Sequence, residues 1–391
     1  LGRQFARLGH GLENWERGCI VRAFDRHNSE LTEESFVREN IPDENPRREE
    51  CDLCNGLFAD LDHFVERVVN ALDRYEFDTF LIGTRPPSDV VQAEEELWEQ
   101  VGVDWVEPLK GELNRLIGKQ VAERTGTEVD FERADVNPVY DVEKDRVEVQ
   151  VNSLLVEGTY SKYSREIPQT RWPCGECRGS GCEACDWTGK QYQRSVEELI
   201  AAPFLDATRA VESKFHGAGR EDVDARCLAE RPFVLEILEP QVRDIDLDAL
   251  QAEINRNEEI DVHDLEFTEK DRVEAVKSLR ADKRYRARVE LAEAVSEDQL
   301  QRLEQLVGTV KQATPSRVEH RRAQKTRERE VYDIAWEQVD ETTIDLEVEA
   351  AAGTYIKELI HGDDAKTEPS VAGLLGTDAD CVALDVIEIK P

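Results

Sequence analysis

Four cysteines in a short glycine-rich segment constrain this chain more than any other feature. They form the pattern C-x2-C-x4-C-x2-C, with Cys174 and Cys177 in the first pair and Cys182 and Cys185 in the second. The link 178–181 is flexible enough to bring the two pairs together, and four thiolates at about 2.3 Å around one ion form a closed zinc site. We therefore predict structural Zn²⁺ here. The alternative is four buried or redox-active cysteines.

A further pair, Cys51 and Cys54, is half of a similar site. Two thiolates do not complete a tetrahedron, so Cys19 and another group would have to assist, or the partners would lie upstream of Leu1. Two ordinary cysteines are the alternative. The C-x-x-C pairs and the odd total of nine cysteines favour a reducing compartment over a disulfide framework.

Acidic residues are in large excess and are spread along the whole chain. Asp and Glu number 86 against 50 Lys and Arg, which gives a net charge of −36. An even distribution of this kind is typical of a protein from a salt-saturated cytoplasm, where the negative surface holds hydration and its self-repulsion is screened. An acidic interaction protein is the alternative, but its charge would be gathered in one tail. We expect a halophile-type protein.

Apolar residues are too dispersed for a membrane protein. No run of about 18 apolar residues occurs, and the segment 1–19 is charged and lacks the apolar stretch of a signal peptide. We expect a cytoplasmic chain with no membrane span, and its 391 residues suggest two or three domains.

Hydrophobic spacing predicts an α+β fold. An amphipathic helix is expected over 61–72, a short strand over 77–82, a helical stretch over about 89–124 and a half-buried strand at 147–151. A longer α+β region follows the cysteines, with strands expected at 233–238, 285–291, 344–348 and 382–389, a helix at 247–254, and a capping box at 296–299 that opens a helix ended by Gly308. These patterns divide the chain into segments 1–60, 61–165, 166–195 and 196–391.

The stretch 214–228 has the composition of a functional loop. Two glycines lie close to several charged residues, as they do in loops that present polar groups to a ligand. A single carboxylate in so acidic a chain is by default a solvated surface group. From the residues alone, Asp222 and Asp224 are only candidates for a nucleophile or a base.

Gly219-Arg220-Glu221-Asp222 resembles the G-R-x-D motif of pseudouridine synthases. The longer string 215–228 is similar to the form found in the archaeal and eukaryotic Pus-ten family of tRNA pseudouridine synthases. The segments 283–287, 314–323 and 352–359 resemble the family's tyrosine motif, a basic segment and its third motif. The resemblance extends through the cysteine cluster to 1–17, so it covers nearly the whole chain. It departs at 365–367, where Ala-Lys-Thr stands in place of the more usual Gly-Arg-Thr.

This resemblance implies both a fold and a reaction. The fold would be a C-terminal α+β pseudouridine synthase domain with a mixed or antiparallel sheet, an N-terminal THUMP-type α+β RNA-binding domain and a four-cysteine zinc insert. The reaction would isomerise uridine-54 and uridine-55 in the TΨC arm of tRNA, using an Asp nucleophile, a flipped-out base and no organic cofactor. Family members carry a C-x-x-C just before the segment matching Leu1, which would supply the partners of Cys51 and Cys54. We expect a monomer.

The resemblance also assigns roles to residues. It implies Asp222 as nucleophile, Lys357 as the basic residue beside it with Arg220 as a further candidate, and Tyr285 as the aromatic that stacks on the flipped uracil. Residues expected to bind RNA are Tyr285, Tyr355 and members of a local basic island over 317–329. The island holds Arg317, His320, Arg321, Arg322, Lys325, Arg327 and Arg329. For this island an exposed charged turn is the alternative.

Two other functions are weighed against this one. A non-catalytic zinc-containing tRNA-binding module would explain the cysteines and the basic island, but not the combination of Asp222, Tyr285 and Lys357. A THUMP-type methyltransferase or thiouridine synthetase would need a glycine-rich loop after a strand, and we find none, so no nucleotide cofactor is expected.

Overall fold

The computed structural model describes residues 54–101, 108–318 and 323–390, which fall into two compact units. Of the described residues, the first unit contains those up to Ser153 together with Leu238–Asp244, and the second contains Leu154–Ile237 and those from Ile245 onward. Cys51 and the basic residues His320, Arg321 and Arg322 lie outside the described residues. Within the described ranges, no helix is long and apolar enough to cross a membrane.

Among its described residues, the first unit has the α-helices α1 (Leu61–Leu72), α2 (Ser88–Val101) and α3 (Leu109–Thr125). Helix α1 buries residues at the predicted spacing, including Phe64, Val65 and Val68, so this prediction is confirmed. The helical stretch expected over about 89–124 contains two helices, α2 and α3, and residues 102–107 lie outside the described residues. Pro108 precedes α3 with an extended backbone (φ −60°, ψ 133°), and proline has no N–H to continue a helix from the residues before it.

The sheet of the first unit is built from short strands. Strands β1 (Thr79–Phe80) and β2 (Gly83–Arg85) both pair in parallel with β4 (Val136–Asp141), while β3 (Glu128–Val129) pairs in parallel with β1 and β5 (Arg146–Val151) pairs antiparallel with β4. The strand expected over 77–82 is therefore reduced to two residues. Phe80 and Val136 pack with the apolar faces of α1 and α3 in one core.

The second unit is organised around a ten-stranded mixed sheet. The strands are β6 (Leu154–Lys162), β7 (Glu212–Gly217), β8 (Ala225–Leu238), β9 (Ile260–Phe267), β10 (Asp282–Leu291), β11 (Gly308–Gln312), β12 (Arg327–Gln338), β13 (Thr343–Ala350), β14 (Thr367–Glu368) and β15 (Ala379–Lys390). Their order in the sheet is β14-β11-β12-β13-β10-β15-β8-β6-β9, with β7 paired to β8. Strand β15 runs parallel to β8, and the other pairings with a described register are antiparallel, as the predicted mixed sheet requires.

Strand β6 lies in this large sheet although the sequence analysis drew a segment boundary at residue 165. Its residues pair with β8 on one side and with β9 on the other. The chain thus passes from the first unit to the second between Ser153 and Leu154, upstream of that boundary.

Helices of the second unit begin with side-chain caps where the sequence offers them. Ser195 accepts a hydrogen bond from the Glu198 N–H at the start of α4 (Val196–Thr208). The capping box of Ser296 and Gln299 is present as predicted, although α7 (Glu297–Leu300) continues as a 3-10 helix. The remaining helices are α5 (Leu247–Ile254), α6 (Lys270–Ser278), α8 (Ile356–His361) and α9 (Val371–Leu375).

Apolar and charged residues alternate along strand β10, and the apolar residues are the buried ones. Tyr285, Ala287, Val289 and Leu291 point into the core, whereas the intervening arginines face the other side. Arg286 and Arg288 pair with Glu347 and Asp345 on β13, each at 2.8 Å, in the register that places these residues opposite one another. This ladder fixes the strand that carries the predicted Tyr285.

Candidate active site

The loop between β7 and β8 carries Asp222 to the edge of an open cavity. Gly219 turns the chain with a φ of +78°, a conformation that favours glycine, and β8 begins at Ala225. The cavity has a volume of about 530 Å³. We call it the Asp222 cavity, and it is lined by Arg165, Glu166, Trp172, Tyr192, Asp222, Val223, Asp224, Arg317 and Lys357.

Two cations flank the Asp222 carboxylate. The Arg317 Nη1 donates to Oδ1 at 3.0 Å, and the Lys357 Nζ lies 3.8 Å from Oδ2. Arg317 is itself fixed by the buried Glu358, to which its Nε donates at 2.7 Å. Burial acts to lower the pKa of Arg317, but Glu358 and Asp222 together raise it, so the guanidinium stays charged. Asp222 therefore faces a positive charge that cannot be titrated away.

Lys357 is shared between two carboxylates. Its Nζ donates to both oxygens of Asp224, at 2.7 and 2.5 Å, in addition to its approach to Asp222. Burial acts to raise the pKa of Asp224, but the hydrogen bond and charge of Lys357 lower it further. With Arg317 and its partner Glu358, the cluster contains two cations and three carboxylates, so negative charge is in excess before any substrate arrives.

A buried lysine supports the backbone of the loop that carries Asp222. Lys162, at the end of β6, has no solvent exposure, and its Nζ donates to the carbonyls of Ile167 (3.0 Å), Asp222 (3.2 Å) and Val223 (2.9 Å). Burial lowers the pKa of this lysine. An ammonium group has three donors, and here each has a carbonyl acceptor. The position of the Asp222 backbone therefore depends on Lys162.

A second buried network holds the rest of the G-R-E-D loop. Glu221 and Arg231 form an ion pair at 3.1 Å with both side chains almost fully buried. The Tyr160 hydroxyl donates to Glu221, and burial together with the Glu221 charge raises the pKa of Tyr160 so that it stays protonated. Gln169 donates to the Tyr160 oxygen at 2.7 Å and to the Gly219 carbonyl at 2.9 Å. These buried contacts tie the loop to Tyr160 on β6 and to Arg231 on β8.

Tyr285 lies in the core of the second unit. Its side chain is only 9% exposed, and it packs in the cluster that includes Ala225, Cys227 and Val386. Burial raises the pKa of Tyr285 to about 12. It is not among the residues that line the Asp222 cavity.

Other predicted site residues lie outside the cavity lining. Arg220 places its guanidinium carbon 4.9 Å from the ring centroid of Trp172. Tyr355 precedes α8, where its N–H donates to Gln312 at 2.9 Å. Lys325 is exposed, and its N–H donates to the buried Thr314 at the base of the basic segment. Of the predicted set, the structure brings together Asp222, Lys357 and Arg317.

Several supporting residues were missed by sequence reasoning. Arg317 was assigned to RNA, and its contact with Asp222 was not foreseen because the two lie 95 residues apart. Glu358 directly follows Lys357 within the third motif, so its position in that motif could have identified it as a site residue. Lys162 ends a strand among ordinary polar residues and gave no pattern to detect.

The four predicted cysteines converge in the insert that follows β6. Their sulfur atoms lie within 4.8 Å of one another, with Cys174–Cys182, Cys177–Cys185 and Cys182–Cys185 distances of 3.9, 3.8 and 3.7 Å. Four thiolates bound to Zn²⁺ at about 2.3 Å in a tetrahedron stand about 3.8 Å apart. The cluster therefore fits a tetrahedral ion. It is the only such cluster among the described residues.

Backbone amides and glycines shape this cluster. The N–H groups of Cys182 and Gly189 donate to the Cys185 sulfur at 3.3 and 3.2 Å. Burial acts to raise the pKa of Cys185, but these donors lower it to about 6, which favours a thiolate. Gly189 has a φ of +69°, and a Cβ there would clash with the Gly179 carbonyl. Cys54 is buried in the core of the first unit, and its predicted partner Cys51 lies outside the described residues.

Comparisons with known proteins agree with the motifs. The family described as "Pus10, C-terminal" matches residues 155–390, and "Pus10 THUMP domain, archaeal" matches residues 64–141. A chain in a solved Cbf5–Nop10–Gar1 complex aligns with 49% of this chain and 44% of its own length, at 22% identity and a TM-score of 0.30.

Curated relatives extend the match over the full chain. Proteins named tRNA pseudouridine synthase Pus10 are 43% identical in Halorubrum lacusprofundi, over 100% of this chain and 92% of the relative, and 41% identical in Methanopyrus kandleri, over 99% and 94%. A third, from Methanothermobacter marburgensis, is 45% identical over 100% of this chain and 94% of its own length. With its C-terminal family match and these full-length relatives, the chain belongs to the Pus10 family.

Proposed function

We propose that this protein is a tRNA pseudouridine synthase that isomerises uridine to pseudouridine, with Asp222 as its nucleophile. The observation that carries the proposal is the position of the Asp222 carboxylate, which faces an open cavity between Arg317 and Lys357. Its support is the G-R-E-D loop together with the family membership reported above. A pseudouridine synthase is an isomerase, so substrate and product have the same atoms.

The proposed reaction needs only groups that this chain supplies. The N1–C1′ bond of the uridine breaks, the uracil turns, and C5 bonds to C1′ while the proton lost from C5 is balanced by one gained at N1. Asp222 either attacks C1′ directly or assists formation of a glycal. Arg317 and Lys357 place positive charge beside the Asp222 carboxylate, where charge would change during the reaction. The proposal includes no organic cofactor.

We propose tRNA as the substrate and the TΨC arm as its modified part, with uridine-54 and uridine-55 as targets. The support is the THUMP match over residues 64–141, the printed names of the relatives and the motif resemblance. The uridine must leave its stack to reach Asp222. The proposed RNA contacts include Arg317, Lys325, Tyr355 and the segment with His320, Arg321 and Arg322. Tyr285 is proposed to stack on the uracil, which would require it to become more exposed than it is in the free protein.

We propose Zn²⁺ as the structural ion of Cys174, Cys177, Cys182 and Cys185. The tetrahedral sulfur spacing and the amide donors to Cys185 support this choice. When bound, the ion would crosslink the two ends of the insert, and the reaction would take place elsewhere, at Asp222. A second site at Cys51 and Cys54, completed from outside the described residues, remains part of the proposal. So do a monomeric state, a cytoplasmic place of action and adaptation to high salt.

The proposal is tested on an unmodified tRNA transcript in high potassium chloride. We expect pseudouridine in the TΨC arm with the native protein and none with Asp222→Asn. Asp224→Asn is the matched comparison, because Asp224 lines the same cavity and contacts Lys357 without contacting Arg317 in the described pairs. It should lower the rate but leave product. Transcripts with cytidine at position 54 or 55 separate the two targets.

The competing function, a non-catalytic tRNA-binding module, makes a different prediction in the same assay. A folded, zinc-loaded sample that binds tRNA tightly but forms no pseudouridine would favour that module and rule out the enzyme. Equal product from Asp222→Asn and the native protein would instead contradict the role of Asp222.

A further inference from the structure

Two aromatic residues form one wall of the Asp222 cavity without having a role in the proposed reaction. Trp172 precedes the four cysteines of the insert 166–195, and Tyr192 follows them. Both residues line the cavity together with Asp222 and Arg317. Both side chains are half-buried. Their ring centroids are 5.5 Å apart with an interplanar angle of 80°. We call the pair the aromatic wall.

The stem of the insert fixes the position of the aromatic wall. The Gln191 N–H donates to the Trp172 carbonyl at 2.9 Å, and the Cys174 N–H donates to the Gly189 carbonyl at 2.8 Å, with a bridge between Pro173 and Lys190 in between. The stem therefore runs directly into the four-cysteine cluster. A metal ion bound by this cluster would also hold the two rings in their edge-to-face arrangement.

A cation from the catalytic loop ties the aromatic wall to the nucleophile. Arg220 lies 4.9 Å from the Trp172 ring centroid, and Asp222 follows two residues later. A guanidinium over an indole ring is a favourable contact that restricts both groups. The wall is thus held in place from two sides, by the insert and by the loop that carries Asp222.

The composition of the cavity matches a nucleotide. Aromatic rings stack on nucleobases of any sequence, and single-stranded RNA is bound mainly in this way. The same lining offers three cations that can contact a phosphate, Arg165, Arg317 and Lys357, beside the three carboxylates Glu166, Asp222 and Asp224. The volume of about 530 Å³ is in the range that accepts ligands larger than one pyrimidine. There is room for a second base beside the one that faces Asp222.

We propose that Trp172 and Tyr192 bind an unpaired nucleobase next to the target uridine. This inference rests on the proposed function, since it concerns the RNA substrate of the same cavity. It gives the cysteine insert a function beyond folding, because the insert holds a base-stacking surface at the active site. The alternative is that the two rings only pack the stem.

The test compares Trp172→Ala, Tyr192→Ala and Trp172→Phe with Trp187→Ala. Trp187 is the matched control, because it lies on the same insert, is 74% exposed and is not part of the cavity lining. With a TΨC stem-loop RNA we expect each alanine variant in the wall to raise KM roughly 5- to 150-fold, the loss expected for one base–aromatic stack, with kcat nearly unchanged. Trp172→Phe should recover most of the affinity, and Trp187→Ala should match the native protein.

A binding measurement separates this proposal from the proposed function. The RNA carries 2-aminopurine on either side of the target uridine, and its fluorescence is followed on binding to Asp222→Asn, which is expected to be inert. Quenching by the Asp222→Asn protein that is lost in the double variant Asp222→Asn, Trp172→Ala supports the aromatic wall. This result would hold even if the native protein forms no pseudouridine. Normal product with no quenching and an unchanged KM in the wall variants overturns the wall and leaves the proposed function standing. Zinc content is measured for each variant, and if Trp172→Ala loses zinc, Trp172→Phe and Tyr192→Ala decide.

Discussion

Asp222 depends on a residue that never reaches the cavity surface. Lys162 donates hydrogen bonds to the backbone carbonyls of Asp222 and Val223, while Arg317 contacts the Asp222 carboxylate. The side chain that would react is thus positioned through its backbone as well as through its charge. This division suggests that backbone support and charge stabilisation can be changed separately.

Replacing Lys162 with methionine should damage both stability and turnover. Methionine keeps most of the apolar stem but leaves three carbonyls, including that of Ile167, without their donor. We expect a loss of about 1–3 kcal/mol in the free energy of unfolding. A displacement of the loop by about 1 Å should lower kcat by about 100-fold. Urea unfolding and single-turnover kinetics measure the two effects.

Lys119→Met is the control for this variant. Lys119 is exposed on α3, so its loss should leave the free energy of unfolding nearly unchanged. If Lys162→Met unfolds more easily but turns over normally, Lys162 supports the fold and has no part in positioning Asp222.

Sequence motifs predicted two residues that lie at one cavity, but they did not predict the groups around them. Asp222 and Lys357 lie in motifs with recognisable spacing, and the structure brings them to one cavity. Arg317 and Lys162 reach the same site from distant segments, and such contacts depend on how strands are arranged in the sheet. Tyr285 illustrates the reverse case, because alternation along β10 predicted its burial while the motif predicted a role in binding.

At the scale of elements, regular spacing predicted structure where one face alone is buried. Helix α1 follows its 3.6-residue pattern, and the helical stretch expected over about 89–124 contains two helices, the second of which begins after Pro108. The strand Leu154–Lys162 was not foreseen as part of the second unit, because strand order in a sheet is set by pairing partners that lie far away in sequence.

The parallel contact between β8 and β15 predicts a pH-dependent loss of stability. Asp385 lies opposite Arg226 in this pairing and contacts Arg226 and Arg165. Burial acts to raise the pKa of Asp385, but the two guanidinium groups lower it further. A carboxyl group whose folded-state pKa is lowered contributes stability above its unfolded pKa of about 4 and loses it as the pH falls through the folded value.

Asp385→Asn should therefore lower the free energy of unfolding by about 2 kcal/mol at neutral pH. The difference from the native protein should shrink as the pH falls below about 4. Asp380→Asn is the control, because Asp380 is exposed on the same strand. A difference that is constant with pH would show that the ion pairs do not produce it. Urea unfolding over a range of pH gives the comparison.

The insert offers a test of one glycine against another. Gly189→Ala places a Cβ against the Gly179 carbonyl at a positive φ, whereas a Cβ at Gly175 meets nothing within 4 Å. We expect Gly189→Ala to release zinc to a chelator at least 10-fold faster than the native protein, a factor that corresponds to about 1.4 kcal/mol. Gly175→Ala should behave as native. Equal rates of zinc release from both variants would contradict the requirement for glycine at residue 189.

At the scale of the whole molecule, two electrostatic effects respond to salt in opposite directions. The acidic excess gives a net charge of −36, so the folded chain repels itself. Arginines on β10 form ion pairs with acids on β13, and these pairs weaken as salt increases. Each exposed pair contributes little to stability, because water screens its attraction. The repulsion among the many unpaired carboxylates should therefore dominate.

We expect potassium chloride to stabilise this protein strongly. Raising the salt from about 0.1 to 1 M shortens the screening length from about 10 to 3 Å, which removes most of the repulsion between surface carboxylates. The midpoint of thermal unfolding should rise over this range. A neutral osmolyte at matched osmolality is the control, since it lacks the screening charge and should produce a smaller rise. A midpoint that stays constant or falls with salt would mean that the local ion pairs outweigh the net charge, and the acidic surface would then need an explanation other than life in high salt.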